Sequence, residues 1–269
     1  MLVEFTKMSG AGNDFVLIDN RNESLKLAPK QIVRLCDRHR GVGADGVMIL
    51  VPCKSGKANW AWNFFNSDGS SGEMCGNGAR CFARFVQKRT EVKDGFTFET
   101  GAGVIKASFR NDLVTVDLTA PQQLRLSESV SLSTGPAVVH SLNTGVPHAV
   151  IFVPAVEQTP VLALGEEIRR HSHFAPKGTN VNFVEIIGPG RIKVRTFERG
   201  VEGETLACGT GVTAAALIAA RLHQFPSPVQ VRVQGGDDLE VSFQNGSEGF
   251  SHVRLTGPAD FVFEGKIQL

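Results

Sequence analysis

Short β-rich runs, some wholly apolar and some alternating apolar with polar, dominate this chain. FVLIDN, GVMILV, FTFETG, RIKVRTF and VQVRVQG each read as a brief strand bounded by Gly, Pro, Asn or Asp. Helical spacing is confined to four stretches, residues 29–38, 76–88, 166–171 and 209–222. The longest apolar run, VTAAALIAA, is far too short to span a bilayer.

The pattern is written twice. FFNSDGSSGEMCGNGARCFARFVQ (64–87) and TFERGVEGETLACGTGVTAAALIA (196–219) both read strand, acidic Gly-rich loop, Gly-Glu, cysteine, Gly-x-Gly, helix. GAGNDFVLID (10–19) matches NTGVPHAVIFV (143–153), and RHRGVGADGVMIL (38–50) matches FAPKGTNVNFVEI (174–186), each a Gly-rich turn before a strand. After each cysteine helix come a Gly turn and alternating strands, at 100–118 and 234–246. Such a long period marks a duplicated domain, not a solenoid. The chain is therefore expected to be α+β, with two pseudo-symmetric lobes, each a curved, mostly antiparallel sheet around a central helix. The Pro-containing stretch TAPQQLRL places the boundary near residue 119, giving lobes 1–119 and 120–256. The last strand, ADFVFEGKIQL, has no counterpart in the first half, so 257–269 is expected to return to the first lobe.

Composition narrows the function. The 269 residues are 42% hydrophobic and 20% charged, with a formal net charge of +1, which points to neither nucleic acid nor an anionic membrane as partner. The first apolar run, MLVEFTKMSG, contains an acid and a lysine, unlike a signal peptide, so a cytoplasmic location is expected. Five cysteines, an odd number with no C-x-x-C pair and no zinc-finger spacing, argue against both a disulfide framework and a structural metal. GVGADG (41–46) is a literal G-x-G-x-x-G, but a helix precedes it and a strand follows, the reverse of a dinucleotide site.

The cysteine motifs carry the chemistry. A helix N-terminus presents unpaired N–H groups and a partial positive charge, which stabilise a thiolate and hold a carboxylate. Glycines at the next positions let a ligand approach the backbone. Two such units, one per lobe across a cleft, suit stereoinversion: one thiolate removes a proton from carbon and the opposite thiol delivers one to the other face. Cys75 and Cys208 are the candidates. Cys36, on the apolar face of QIVRLCDRH, Cys81, inside the first cysteine helix, and Cys53, in a polar loop, read as structural or incidental.

At these motifs the chain resembles the diaminopimelate epimerases. SGAGNDFVLID, FNSDGSSGEMCGNGARCFARF, FERGVEGETLACGTGVTAA and the Pro-His step in TGVPH carry the likeness, which covers essentially the whole chain. The resemblance implies an isomerase that interconverts LL- and meso-2,6-diaminopimelate for lysine and peptidoglycan synthesis, without pyridoxal phosphate or metal. It implies a central helix in each lobe, a last strand returning to lobe one, and a homodimer. It makes Cys75 and Cys208 the acid/base pair. Gly76, Asn77, Gly209 and Thr210 become the cradle of the α-carboxylate, and Asn13, Asn66, Asn180, Glu198 and Arg199 hold the substrate. His148 and Glu198 match positions that tune the thiols. A neighbouring Glu and Arg also suit the ammonium and carboxylate of a distal amino-acid end.

Three positions depart from the family pattern: Gly46 and Val146 stand where many members carry a glutamine and an asparagine, and Phe263 where some carry a tyrosine at the dimer contact. Asn143 and Asn182 are candidates to supply the missing amides. The rival readings are a proline or hydroxyproline racemase, another amino-acid racemase on the same scaffold, and a non-catalytic redox protein switched by a Cys75–Cys208 disulfide.

Overall fold

The computed structural model describes residues 1–247 and 249–269, and its strands pair in an order that repeats. In the first half, β1 (Leu2–Gly10) pairs antiparallel with β2 (Asn13–Asp19). After α1 (Pro29–Cys36), β3 (Gly46–Pro52) lies parallel to β2, and β4 (Trp60–Asn66) returns antiparallel to β3. After α2 (Gly76–Thr90), β5 (Gly95–Thr100) lies parallel to β4, and β6 (Gly103–Arg110) and β7 (Leu113–Asp117) follow as antiparallel neighbours.

The second half begins with β8 (Gln122–Leu132), antiparallel to β9 (Gly135–Asn143), and then repeats the scheme. β10 (Pro147–Phe152) is antiparallel to β9. α3 (Val161–Arg170) leads to β11 (Asn180–Gly188), parallel to β10, and β12 (Arg191–Glu198) returns antiparallel. The short β13 (Gly203–Thr205) folds back on β12, and α4 (Gly209–His223) leads to β14 (Val229–Val233), parallel to β12. β15 (Asp238–Gly246) and β16 (Gly249–Pro258) close the series antiparallel. In both halves the pairing runs antiparallel, parallel, antiparallel, parallel, antiparallel, antiparallel, with a helix at each parallel step. Parallel neighbours need a crossover, and a helix supplies it. The architecture is the duplicated, mostly antiparallel α+β fold that the sequence implies.

The residues group into two compact units, Met1–Asp117 with Gly257–Leu269, and Leu118–Thr256. β17 (Asp260–Gln268) belongs to the first and pairs antiparallel with β1, from Leu2 opposite Gln268 to Ser9 opposite Asp260.

Each unit is built on one fifteen-residue helix. α2 packs on β1, β2, β3 and β7, and α4 packs on β9, β10, β11, β12, β14 and β15. α4 buries every residue from Gly211 to Ala220, and its small side chains let strands approach from many directions. α2 instead sinks Phe82 between Trp62 and Phe98, at ring-centroid distances of 5.5 and 5.0 Å, and leaves Lys88 and Arg89 in its last turn. Burying a phenylalanine of this kind contributes about 1.5–3 kcal/mol.

α3 starts at Val161, before the expected 166. Gly165 lowers its helical signal, yet a Cβ there would lie 2.5 Å from Phe197 Cβ, so the glycine is what lets α3 lie on β12.

Candidate active site

Cys75 and Cys208 are the N-cap residues of α2 and α4, in extended conformations of φ −145°, ψ 119° and φ −116°, ψ 106°. The cap carbonyls accept the first helical bonds, from Ala79 N at 2.7 Å and Val212 N at 2.8 Å. A side chain at this position sits over the unpaired N–H groups of the first turn. Gly78 N donates to Cys75 Sγ at 3.4 Å. Cys208 Sγ lies 3.6 Å from Thr210 Oγ1, and Thr210 O accepts from Thr144 Oγ1 at 2.9 Å. The second glycine of each motif serves the protein's own packing. A Cβ at Gly78 would lie 1.9 Å from Met48 Cε, and one at Gly211 would lie 2.2 Å from Asn182 Oδ1. At these two positions the glycine therefore also has a neighbour within the protein, a flexible methionine end at Gly78 and a buried amide at Gly211.

In the first unit, Asn13 opens β2 and reaches the cysteine: Cys75 Sγ donates to Asn13 Oδ1 at 3.6 Å. The amide is oriented from its other end, where Asn13 Nδ2 donates to Asp45 Oδ2. A carboxylate accepts only, so nitrogen must face Asp45 and oxygen the thiol. Asp45 in turn accepts from Asp14 N at 3.1 Å and from Arg38 Nη2 at 2.9 Å, while Arg38 grips Asp14 through both Nη atoms at 2.9 and 2.8 Å. The buried Lys7 adds an ion pair to Asp14 at 2.7 Å. Burial alone would raise the Asp14 carboxyl, but the hydrogen bonds from Arg38 and Lys7 outweigh it and bring it down to about 2. Asn77 is 1% exposed in the first turn of α2. Asn66 lies at the exposed end of β4, its Nδ2 donating to Ser70 Oγ at 3.0 Å.

In the second unit, β10 and β11 run parallel with His148 opposite Asn180. Asn180 bridges two segments: its Nδ2 donates to Pro147 O at 3.1 Å, and its Oδ1 accepts from Arg199 N at 2.9 Å. Arg199 Nη1 donates to Lys177 O at 3.1 Å, and Glu198 Oε2 accepts from Thr205 Oγ1 at 2.9 Å. His148, Asn180, Glu198 and Arg199 thus lie on three neighbouring strand ends joined by these contacts. His148 is 1% exposed, and burial, with the nearby Arg199 charge, pushes its imidazole down to about 3.

Asn182 does not stand in for a missing substrate amide. It is fully buried, and its amide is committed to His148, Ala149 and Thr196. Asn143 closes the β9–β10 turn, with its Oδ1 accepting from Gly145 N at 2.9 Å. At Gly46, a Cβ would lie 2.7 Å from Phe65 O, so a glutamine there would force β3 and β4 apart. Cys36 and Cys81 are buried, and burial pushes both thiols up to about 12, which keeps them protonated and inert.

Two contributors were not legible in the sequence. Asp45 lies inside the Gly-rich run whose only motif is the misleading G-x-G-x-x-G, and nothing local marks it. Arg80 is fully buried, donating to Gly76 O at 3.3 Å and to Pro258 O at 3.2 Å, so it ties the first turn of α2 to the returning segment. Its place in Cys-Gly-Asn-Gly-Ala-Arg was visible, but not its target.

The model of the diaminopimelate epimerase family matches residues 5–124 and 140–262. The diaminopimelate epimerase of Aquifex aeolicus (strain VF5) is 44% identical over 276 residues, covering 98% of this chain and 98% of that protein. Among solved structures, a PhzF-family phenazine biosynthesis protein of Bacillus anthracis superposes with a TM-score of 0.78 at 14% identity, covering 100% of both chains. A hydroxyproline epimerase from Agrobacterium vitis superposes with a TM-score of 0.72 at 17% identity, covering 99% of this chain and 92% of that one. At such identities these two share the fold alone. The sequence match is of another order, running through both halves and both cysteine-capped helices, and it follows that the chain belongs to the diaminopimelate epimerase family.

Proposed function

We propose that this chain is an epimerase that interconverts LL- and meso-2,6-diaminopimelate by a two-base cysteine mechanism, needing neither pyridoxal phosphate nor metal. The observation that carries the reading is the duplicated placement of a cysteine as N-cap of the central helix in each unit, in a chain that matches this family over nearly its full length. One cysteine, as thiolate, takes the α-proton and becomes a thiol; the other, as thiol, gives its proton to the opposite face and becomes a thiolate. The product has inverted configuration, and the enzyme is left with the roles exchanged, ready for the reverse reaction. Charge that develops on the α-carboxylate is met by the helix N-termini at Gly76–Asn77 and Gly209–Thr210. Glu198 and Arg199 hold the distal ammonium and carboxylate, and Asn13, Asn66 and Asn180 orient the substrate. Such an enzyme serves lysine and peptidoglycan precursor synthesis, as a cytoplasmic homodimer.

Incubation with LL-diaminopimelate in D2O tests it. Meso product carrying one deuterium at the inverted α-carbon is expected, with turnover abolished in Cys75→Ala and in Cys208→Ala. Deuterium entering proline but not diaminopimelate would replace the reading with a proline racemase. No exchange into any amino acid would leave the redox alternative.

A further inference from the structure

The buried amide of Asn182 makes three contacts that leave it one orientation. Its nitrogen donates to Ala149 O at 2.9 Å, and a carbonyl oxygen accepts only, so the atom facing it must be nitrogen. Its oxygen accepts from Thr196 Oγ1 at 3.0 Å. The same nitrogen faces His148 Nδ1 at 3.2 Å. An amide N–H pointing at Nδ1 requires a lone pair there, so the single proton of the neutral ring sits on Nε2. His148 Nε2 is buried and has no hydrogen-bond partner among the described residues. The ring's low basicity, from burial first and the Arg199 charge second, agrees with a neutral imidazole throughout the working pH range. Asn182 also underlies the tip of α4: Gly211 must lack a side chain to accommodate its Oδ1, and Cys208 begins the same turn.

We propose that Asn182, braced by Thr196, is a positioning residue that locks His148 as the Nε2–H tautomer, so that the imidazole serves the reaction as a permanent hydrogen-bond donor and never as a proton acceptor. A buried N–H without a partner costs free energy unless an electron-rich atom arrives to meet it, and the anionic atoms of the proposed epimerisation are such acceptors. Nothing is oxidised and no proton leaves the ring; the hydrogen bond forms as the reacting group is bound. The role in catalysis rests on the epimerase reading, whereas the tautomer does not.

Two measurements separate them. The first is the 15N spectrum of the full chain labelled at histidine, with the His148 signals assigned through His148→Gln. A protonated Nε2 and an unprotonated Nδ1 are expected at neutral pH, and a protonated Nδ1 would overturn the proposal whatever the substrate proves to be. The second is kinetic. Glutamine places an amide N–H near the Nε2 position but cannot act as a base, so His148→Gln is expected to keep most of the turnover that His148→Leu loses. Asn182→Leu is expected to yield mixed tautomers and a kcat reduced about tenfold, the equivalent of one hydrogen bond in the transition state, with KM little changed. In the His148→Gln background, Asn182→Leu should cost little more, because its effect runs through the imidazole. Equal losses in both backgrounds, or a His148→Gln enzyme as inactive as His148→Leu, would reject the role. If Asn182→Leu does not fold, the wild-type spectrum decides the tautomer and the two His148 variants decide the role.

Discussion

Asn13 and Asn182 are both buried or half-buried amides beside a cysteine-capped helix, and both owe their orientation to a neighbour that accepts only. For Asn13 the neighbour is the Asp45 carboxylate. Removing it in Asp45→Ala frees the amide to rotate away from the thiol, and kcat/KM for diaminopimelate is expected to fall by about tenfold, while a thermal melt shows the chain still folded. The buried titratable groups also set how the fold responds to acid. His148 is held neutral in the folded chain, with its pKa depressed to about 3 from 6.5, so its contribution is present above the ordinary histidine range and is lost as the pH falls from 6.5 towards 3. Asp14 is depressed from 3.8 to about 2, so what it contributes is lost only in the lower interval between those values. Urea unfolding across this range is expected to show stability declining already below about pH 6.5, with His148→Gln flattening the upper part of the decline and Asp14→Asn the lower.

α2 and α4 share length, cap and glycine pattern, yet they tolerate change differently. At Gly78 the obstacle to a methyl group is the far end of Met48, a flexible side chain that can turn aside. At Gly211 the obstacle is the Asn182 amide, pinned by three partners. Gly78→Ala is therefore expected to leave stability and kcat close to normal, and Gly211→Ala to lower both, as read by thermal melts and steady-state kinetics. The aromatic packing of α2 makes the opposite kind of demand. Phe82→Ala removes the ring enclosed by Trp62 and Phe98 and is expected to cost about 3–5 kcal/mol in denaturant titration.

At the scale of the chain, the returning strand of the first unit presents a run of exposed apolar side chains. β17 leaves Phe261, Val262 and Phe263 at 38%, 55% and 48% exposure, and Phe263 is fixed edge-on against Phe5 at 5.8 Å. An exposed strand of this character invites a partner strand or sheet. If the proposed homodimer forms here, Phe263→Glu is expected to halve the mass seen in sedimentation velocity while the circular dichroism spectrum stays unchanged; a dimer that survives the substitution places the contact elsewhere.

Much of this architecture was legible from residue order. The two Cys-Gly-x-Gly steps, the helices after them and the repeated alternation of strands are local patterns, and each copy reinforced the other. The duplicated motif marked the two candidate cysteines, and its likeness to one family added candidate substrate-binding positions. What could not be read were the partners. Asn13 meets Asp45 across 32 residues, His148 meets Asn182 across 34, and Arg80 meets Pro258 across 178. Alternation tells which face of a strand is buried, but not which strand lies beside it or in what register. Along the chain Asn182 reads as a candidate substrate amide; the parallel pairing of β10 with β11 sets it against His148 instead. Local propensity and pattern thus determined most of the elements and the candidate reactive groups, whereas sheet register, a sum of contacts distant along the chain, assigned the buried polar atoms their partners.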